Sequence, residues 1–141
     1  MTCKVSERWE GTLIPGTASS LLVQGKIVSH TNLSGDGTPN LHPAVRSYFE
    51  EVPERLREPF LGYCAESALV SDQLWALDAE RPGHPPVTLQ EAVPHFRGAA
   101  MMSKMIREHG DPDHGQPTDP CPACQGLLDR LGITFIGRDD A

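Results

Sequence analysis

Apolar and polar positions change their period several times along the chain, and each change marks an element. Between Ser20 and Thr31, Leu21, Leu22 and Val23 on one side and Ile27 and Val28 on the other flank Gln24-Gly25. A glycine able to take positive φ at the centre of such a run predicts two short strands joined by a tight hairpin. Ser34 to Pro39 reads as loop. Val45, Tyr48, Phe49 and Val52 then fall at i, i+3, i+4 and i+7, the single apolar stripe of a helix. Asn40 or His42 is placed to cap that helix, Pro43 suits its first turn, and Pro53 stops it. From about Cys64 to Leu77 the apolar residues Ala65, Ala68, Leu69, Val70, Leu74, Trp75 and Leu77 surround most of the circumference. Such a helix is expected to be buried against a sheet and other helices.

Arg81 to Pro86 cannot continue that helix and is read as loop. Residues 88–109 are ambiguous, because the run Ala99 to Ile106 has fair helix propensity yet suits a short buried strand equally well. Asp111 to Thr118, rich in Gly, Pro and Asp, is read as loop. The last helix is expected to start with Asp119 as cap and Pro120 in the first helical position, and to end before Gly132. Its stripe is Cys124, Leu127, Leu128 and Leu131, and Ile133 to Ile136 then reads as a strand. No internal repeat or low-complexity tract interrupts this order.

Composition narrows the class. A chain of 141 residues, 38% hydrophobic with four cysteines, suits one domain with one packed core and excludes a disulfide miniprotein. We divide it into an N-terminal segment, 1–18, and a domain over 19–141. No apolar run nears the ~20 residues that cross a bilayer, and Met1 to Glu10 is polar and mixed in charge. The expectation is a cytoplasmic protein with no membrane partner. The net charge of −7 is concentrated in residues 61–141, which hold six Lys and Arg against twelve Asp and Glu. Wide phosphate-binding surfaces carry the opposite bias, so tight nonspecific duplex binding is not expected. Arg46, Arg55 and Arg57 are the one candidate for a small basic groove, and a solvated helix surface is their simpler reading.

Chemistry enters with the cysteines. Cys121 and Cys124 form Pro120-Cys121-Pro122-Ala123-Cys124 at one expected helix start, and Cys64-Ala65-Glu66 opens another. Helix N-termini present unpaired N–H groups and partial positive charge, which favour thiolate over thiol. Three thiolates would supply three-quarters of a tetrahedral zinc site, leaving one position for water. Glu66 would stand within reach of that water. Two alternatives stay open: a redox dithiol, which needs neither Cys64 nor Glu66, and a closed structural zinc site whose fourth ligand is Cys3 or one of six histidines. The conjunction of C-x-E and P-C-x-x-C at two helix starts favours the catalytic site.

That conjunction resembles the cytidine deaminase superfamily, whose signature is [HC]-x-E followed by P-C-x-x-C. Within it the chain is most similar to the YwqJ-like bacterial deaminases, nucleic-acid or nucleotide deaminases often found as toxin domains. The resemblance covers about residues 19–137. It implies a three-layer α/β fold with a central mixed sheet of four to five strands flanked by helices, and it turns the ambiguous residues 99–107 into a strand. It implies Zn2+ held by Cys64, Cys121 and Cys124, with Glu66 moving protons between water, ring nitrogen and leaving ammonia. Asn32 resembles the asparagine that holds the sugar in cytidine deaminases, although a strand-end residue bonding its own loop would look the same. His42 either contacts substrate or begins a helix, and the second reading is favoured. Two departures stand out. Ser67 occupies the place where free-nucleoside deaminases commonly carry arginine, and Ala141 follows the last strand by a few residues, so the superfamily's final helix and strand are expected to be missing or replaced. The sheet edge left open would then be covered by the N-terminal segment or by a partner.

The function this implies is conversion of cytosine to uracil in nucleic acid, single-stranded DNA above duplex. A free nucleoside, nucleotide or other aminated heterocycle is the alternative substrate, and a non-catalytic module with structural zinc is the alternative class. The same analogy implies a second copy (a homo-oligomer) or an immunity protein as partner, and a secreted effector domain if the chain is cut from a larger toxin.

Overall fold

The computed structural model describes residues 16–31, 40–56 and 64–137. Asn32, Arg57, Cys3 and the loop at 34–39 lie outside the described residues. The hairpin is where the alternation places it, as β1 (Thr17–Val23) and β2 (Lys26–Thr31), antiparallel from Ala18 opposite Thr31 to Val23 opposite Lys26. Gln24 and Gly25 both take positive φ, 52° and 77°, which gives the turn the twist that two right-twisted strands need. The Gln24 amide also donates to the His95 carbonyl at 2.8 Å.

The ambiguous run is a strand. β3 (Ala100–Met105) pairs antiparallel with β1 along its length. Its other edge is shared between β4 (Pro117–Thr118), antiparallel at Ser103 and Lys104, and β5 (Thr134–Phe135), parallel at Ala100 and Met101. The result is the expected α/β architecture with a mixed sheet, of five strands among the described residues. β4 arises in the segment read as loop. It is two residues long and begins with proline, a pattern that carries no strand signal in the sequence.

Among the described residues, four α-helices pack on this sheet and on one another. α1 (Pro43–Glu50) buries Val45 and Phe49 of its stripe against α2 (Ala65–Ala79) and α4 (Pro122–Leu131). α2 lies against β1 and β2 and buries Leu69, Val70 and Leu74. The short α3 (Leu89–Ala92) opens with a reciprocal capping box between Thr88 and Glu91, a T-x-x-E signal that periodicity alone overlooks. α4 ends as expected: Gly132 takes φ 77°, and Ile133 N–H bonds back to the Leu128 carbonyl at 3.0 Å. Its start is corrected by two residues, with Cys121 as N-cap and Pro122 at the first helical position. Both prolines could open a helix, but Pro122 disfavours helical backbone at Cys121, so the helix begins after it.

His42 caps α1 and ties it to α2. Its Nδ1 accepts from Ala44 N–H at 3.0 Å, which leaves the ring proton on Nε2 to donate to Asp78 Oδ2 at 2.7 Å. The ring is fully buried and meets Trp75 edge-on at 4.8 Å. Asp78 Oδ1 in turn accepts from Val87 N–H at 2.8 Å, so one carboxylate joins α1, α2 and the approach to α3. Partial burial pushes the Asp78 carboxyl up, but the hydrogen bonds from Val87 and His42, with the Arg81 charge, outweigh it and hold it below its ordinary value. A second close approach locks α1 to α4, where Tyr48 lies over Gly126 so tightly that a Cβ there would collide with the phenol hydroxyl.

Two stability experiments follow. Because the folded pKa of Asp78 is depressed, its contribution is complete above the unfolded value of about 3.9 and lost as pH falls through the folded one. Asp78→Asn, by setting an amide N–H against one of its two donors, should cost about 1–2 kcal/mol at pH 7 in urea unfolding and should flatten the loss as pH falls below about 4; equal acid sensitivity in both proteins would contradict the linkage. Gly126→Ala alone should give no stabilisation. In a Tyr48→Phe background, where the ring carbon meets the new Cβ at 3.6 Å, it should recover about 1 kcal/mol of helix propensity, read from a double-mutant cycle.

Candidate active site

Two helix N-termini converge to make the site. Cys64 is the N-cap of α2 and Cys121 the N-cap of α4, and both take extended backbone before their helices begin. Neither side chain makes the capping hydrogen bond that Ser or Asp would make in that place. The two positions most exposed to the helix dipoles are thus given to sulfur. Cys124 stands three residues after Cys121, one turn on and on the same face. The sulfurs of Cys64, Cys121 and Cys124 all lie within 4.8 Å of one another, and all three residues are buried. Among the described residues no fourth His, Cys, Asp or Glu belongs to this group. A tetrahedral zinc with bonds of about 2.3 Å would hold its sulfurs roughly 3.8 Å apart, so a small closing movement brings this donor set to fit the ion.

Glu66 sits in the first turn of α2, two residues after Cys64, and is 1% exposed. Its Oε2 accepts from Ser103 Oγ at 2.7 Å, and Ser103 Oγ is 2.5 Å from Ser19 Oγ. Burial pushes the Glu66 carboxyl up; the Ser103 hydroxyl, its own N–H and Ser19 pull against this, and the charge of Cys121 adds to the upward push. Ser67, where an arginine was the familiar residue, is buried and donates to the Cys64 carbonyl at 3.1 Å. It stabilises the turn that carries the cysteine and brings no charge.

The structure therefore brings Cys64, Cys121, Cys124 and Glu66 to two adjacent helix starts. His42 takes the favoured of its two readings, the start of a helix. Both ring nitrogens are engaged inside the fold and no part of the ring is exposed, so it has no polar atom to offer a substrate, and its place is that of a helix cap. Asn32 lies outside the described residues. Ser19 and Ser103 were missed, although a signal exists: they fall on the inward face of strands whose neighbouring inward positions are Leu21 and Met101. A hydroxyl in such a position needs a polar partner.

No helix among the described residues is long and apolar enough to cross a membrane. No curated protein and no solved structure matches the chain. A family model does, that of the YwqJ-like deaminases, over residues 3–133. With C-x-E and P-C-x-x-C folded onto one buried site and the family match spanning nearly its whole length, this chain belongs to the YwqJ-like deaminase family.

Proposed function

We propose that the protein is a zinc-dependent hydrolytic deaminase that converts cytosine to uracil in nucleic acid, with single-stranded DNA as its substrate. The observation that carries this reading is the placement of Glu66 in the same helix turn as Cys64, whose sulfur lies within 4.8 Å of those of Cys121 and Cys124. Cys64, Cys121 and Cys124 would hold the ion. When bound, zinc lowers the pKa of a coordinated water to about 7 and so supplies hydroxide at neutral pH. Three thiolates on a divalent ion leave a net negative charge of one. The N-termini of α2 and α4 each bring about half a positive charge, which offsets it without the arginine that Ser67 replaces.

Glu66 does the proton work. It accepts the proton of the attacking water and delivers it to the ring nitrogen as C4 of cytosine becomes tetrahedral. The carboxyl then takes the proton of the new C4 hydroxyl and delivers it to the amino group, so the C4–N bond breaks, ammonia leaves and the C4 carbonyl of uracil forms. One carboxyl can serve both transfers because burial lifts its affinity for a proton while hydrogen bonds keep the ionised form accessible. Single strands are favoured on cost, since extruding a paired base takes a few kcal/mol that an unpaired base does not. The acidic balance of the chain fits local engagement of a few nucleotides better than wrapping of a duplex.

The purified protein should contain one zinc per chain, and Cys64→Ser, Cys121→Ser or Cys124→Ser should each leave it substoichiometric by elemental analysis, with a lower melting temperature. Full zinc retention by Cys64→Ser would remove that residue from the ligand set. Incubated with cytosine-containing single-stranded DNA, duplex DNA, RNA and cytidine, the wild type should form uracil fastest in the single-stranded DNA. Glu66→Gln should keep its zinc and lose roughly 10²–10⁴-fold in rate. Ammonia release from cytidine alone would move the substrate to free nucleosides. Full activity in Glu66→Gln would end the mechanism.

A further inference from the structure

Behind Glu66, three buried side chains from three elements form one hydrogen-bond chain. Ser19 on β1 and Ser103 on β3 are direct partners in the antiparallel register, on the sheet face that α2 covers. Ser19, Ser103 and Glu66 are 1%, 0% and 1% exposed. Their spacing is 2.5 Å between hydroxyls and 2.7 Å from Ser103 Oγ to Glu66 Oε2. We propose that Ser103, backed by Ser19, is a positioning residue that holds the Glu66 carboxyl in the orientation its proton transfers require; this rests on the deaminase reading above.

The choice of residue type carries the argument. A buried hydroxyl costs about 1–3 kcal/mol unless paired, and the next inward positions on the same two strands, Leu21 and Met101, are apolar. Two adjacent serines are therefore a cost that the fold offsets through their bond to each other and the bond of Ser103 to Glu66. A hydroxyl both donates and accepts, so one side chain can join two partners. Ser103 gives its hydrogen to Glu66 Oε2, and Ser19 backs Ser103 through the hydroxyl contact across the β1–β3 pair. Held from the sheet in this way, the carboxyl keeps one rotamer, which is what a group acting twice in one turnover needs.

The test uses the zinc-loaded full chain with Ser103→Ala, Ser103→Thr and Ser19→Ala. Partners of this kind behind a working group are worth ~10- to 100-fold. Ser103→Ala should keep its zinc and lose about that much in kcat with KM within roughly twofold, and Ser103→Thr, which restores a hydroxyl, should recover most of the loss. Ser19→Ala should lose a smaller factor. If Ser103→Ala does not fold, Ser19→Ala decides, because it leaves the bond to Glu66 in place, and an unchanged kcat there overturns the proposal. A second readout is independent of turnover: the Glu66 carboxyl band, isolated by infrared difference against Glu66→Gln, should shift in Ser103→Ala and return in Ser103→Thr. Wild-type turnover with an undiminished kcat in Ser103→Ala, or a loss that only follows lost zinc, overturns the positioning role. An infrared shift in a wild type that deaminates nothing overturns the deaminase reading instead and leaves the hydrogen-bond chain standing.

Discussion

Everything at the candidate site follows from one electrostatic constraint: three sulfurs and a carboxyl share a buried volume at the ends of two helices. Sulfurs of residues 64, 121 and 124 within 4.8 Å of one another, beside a glutamate with 1% exposure, gather more latent negative charge than an apolar core tolerates unaided. The fold answers with position. Two of the cysteines are themselves N-caps, so the partial positive charge of each helix start falls on a ligand atom. The carboxyl is answered by hydroxyls from the sheet. A divalent ion fits this arrangement as the remaining counter-charge.

The rest of the molecule holds those two helix starts together. α2 is clamped at its start by its contact with β1 and β2, and near its end by Asp78, whose two oxygens reach the cap of α1 and the backbone before α3. α4 is set against α1 by the Tyr48–Gly126 approach and joined to the sheet through β5. The parallel pairing of β5 with β3 makes α4 the crossover between two neighbouring strands, and that crossover brings Cys121 and Cys124 up to Cys64. Packing far from the sulfurs therefore decides the geometry at the sulfurs.

Much of this was legible in the chain itself. The hairpin turn at Gln24-Gly25, the stripe of α1 and the glycine stop of α4 are local signals, and the structure follows each. The two cysteine motifs were legible because spacing alone puts them at helix starts. What local sequence could not decide is non-local. Residues 100–105 become a strand because β1 on one side and β4 and β5 on the other supply hydrogen-bond partners. β4 exists only through that pairing. The start of α4 moved because two prolines compete and the second one wins. For His42 the sequence favoured a helix start over a substrate contact, and the bond to Asp78, 36 residues away, is what engages the rest of its ring. Ser19 and Ser103 acquire meaning from register across 84 residues, which no window along the chain contains.

X-ray absorption at the zinc edge of the metal-loaded protein examines the central claim without reference to any substrate. Our account requires three sulfur scatterers at about 2.3 Å and one oxygen or nitrogen scatterer at roughly 2.0 Å, the latter exchanging with solvent. Four sulfurs, or a histidine pattern in place of the light scatterer, would mean a closed site with no place for a reacting water, and the account would be wrong.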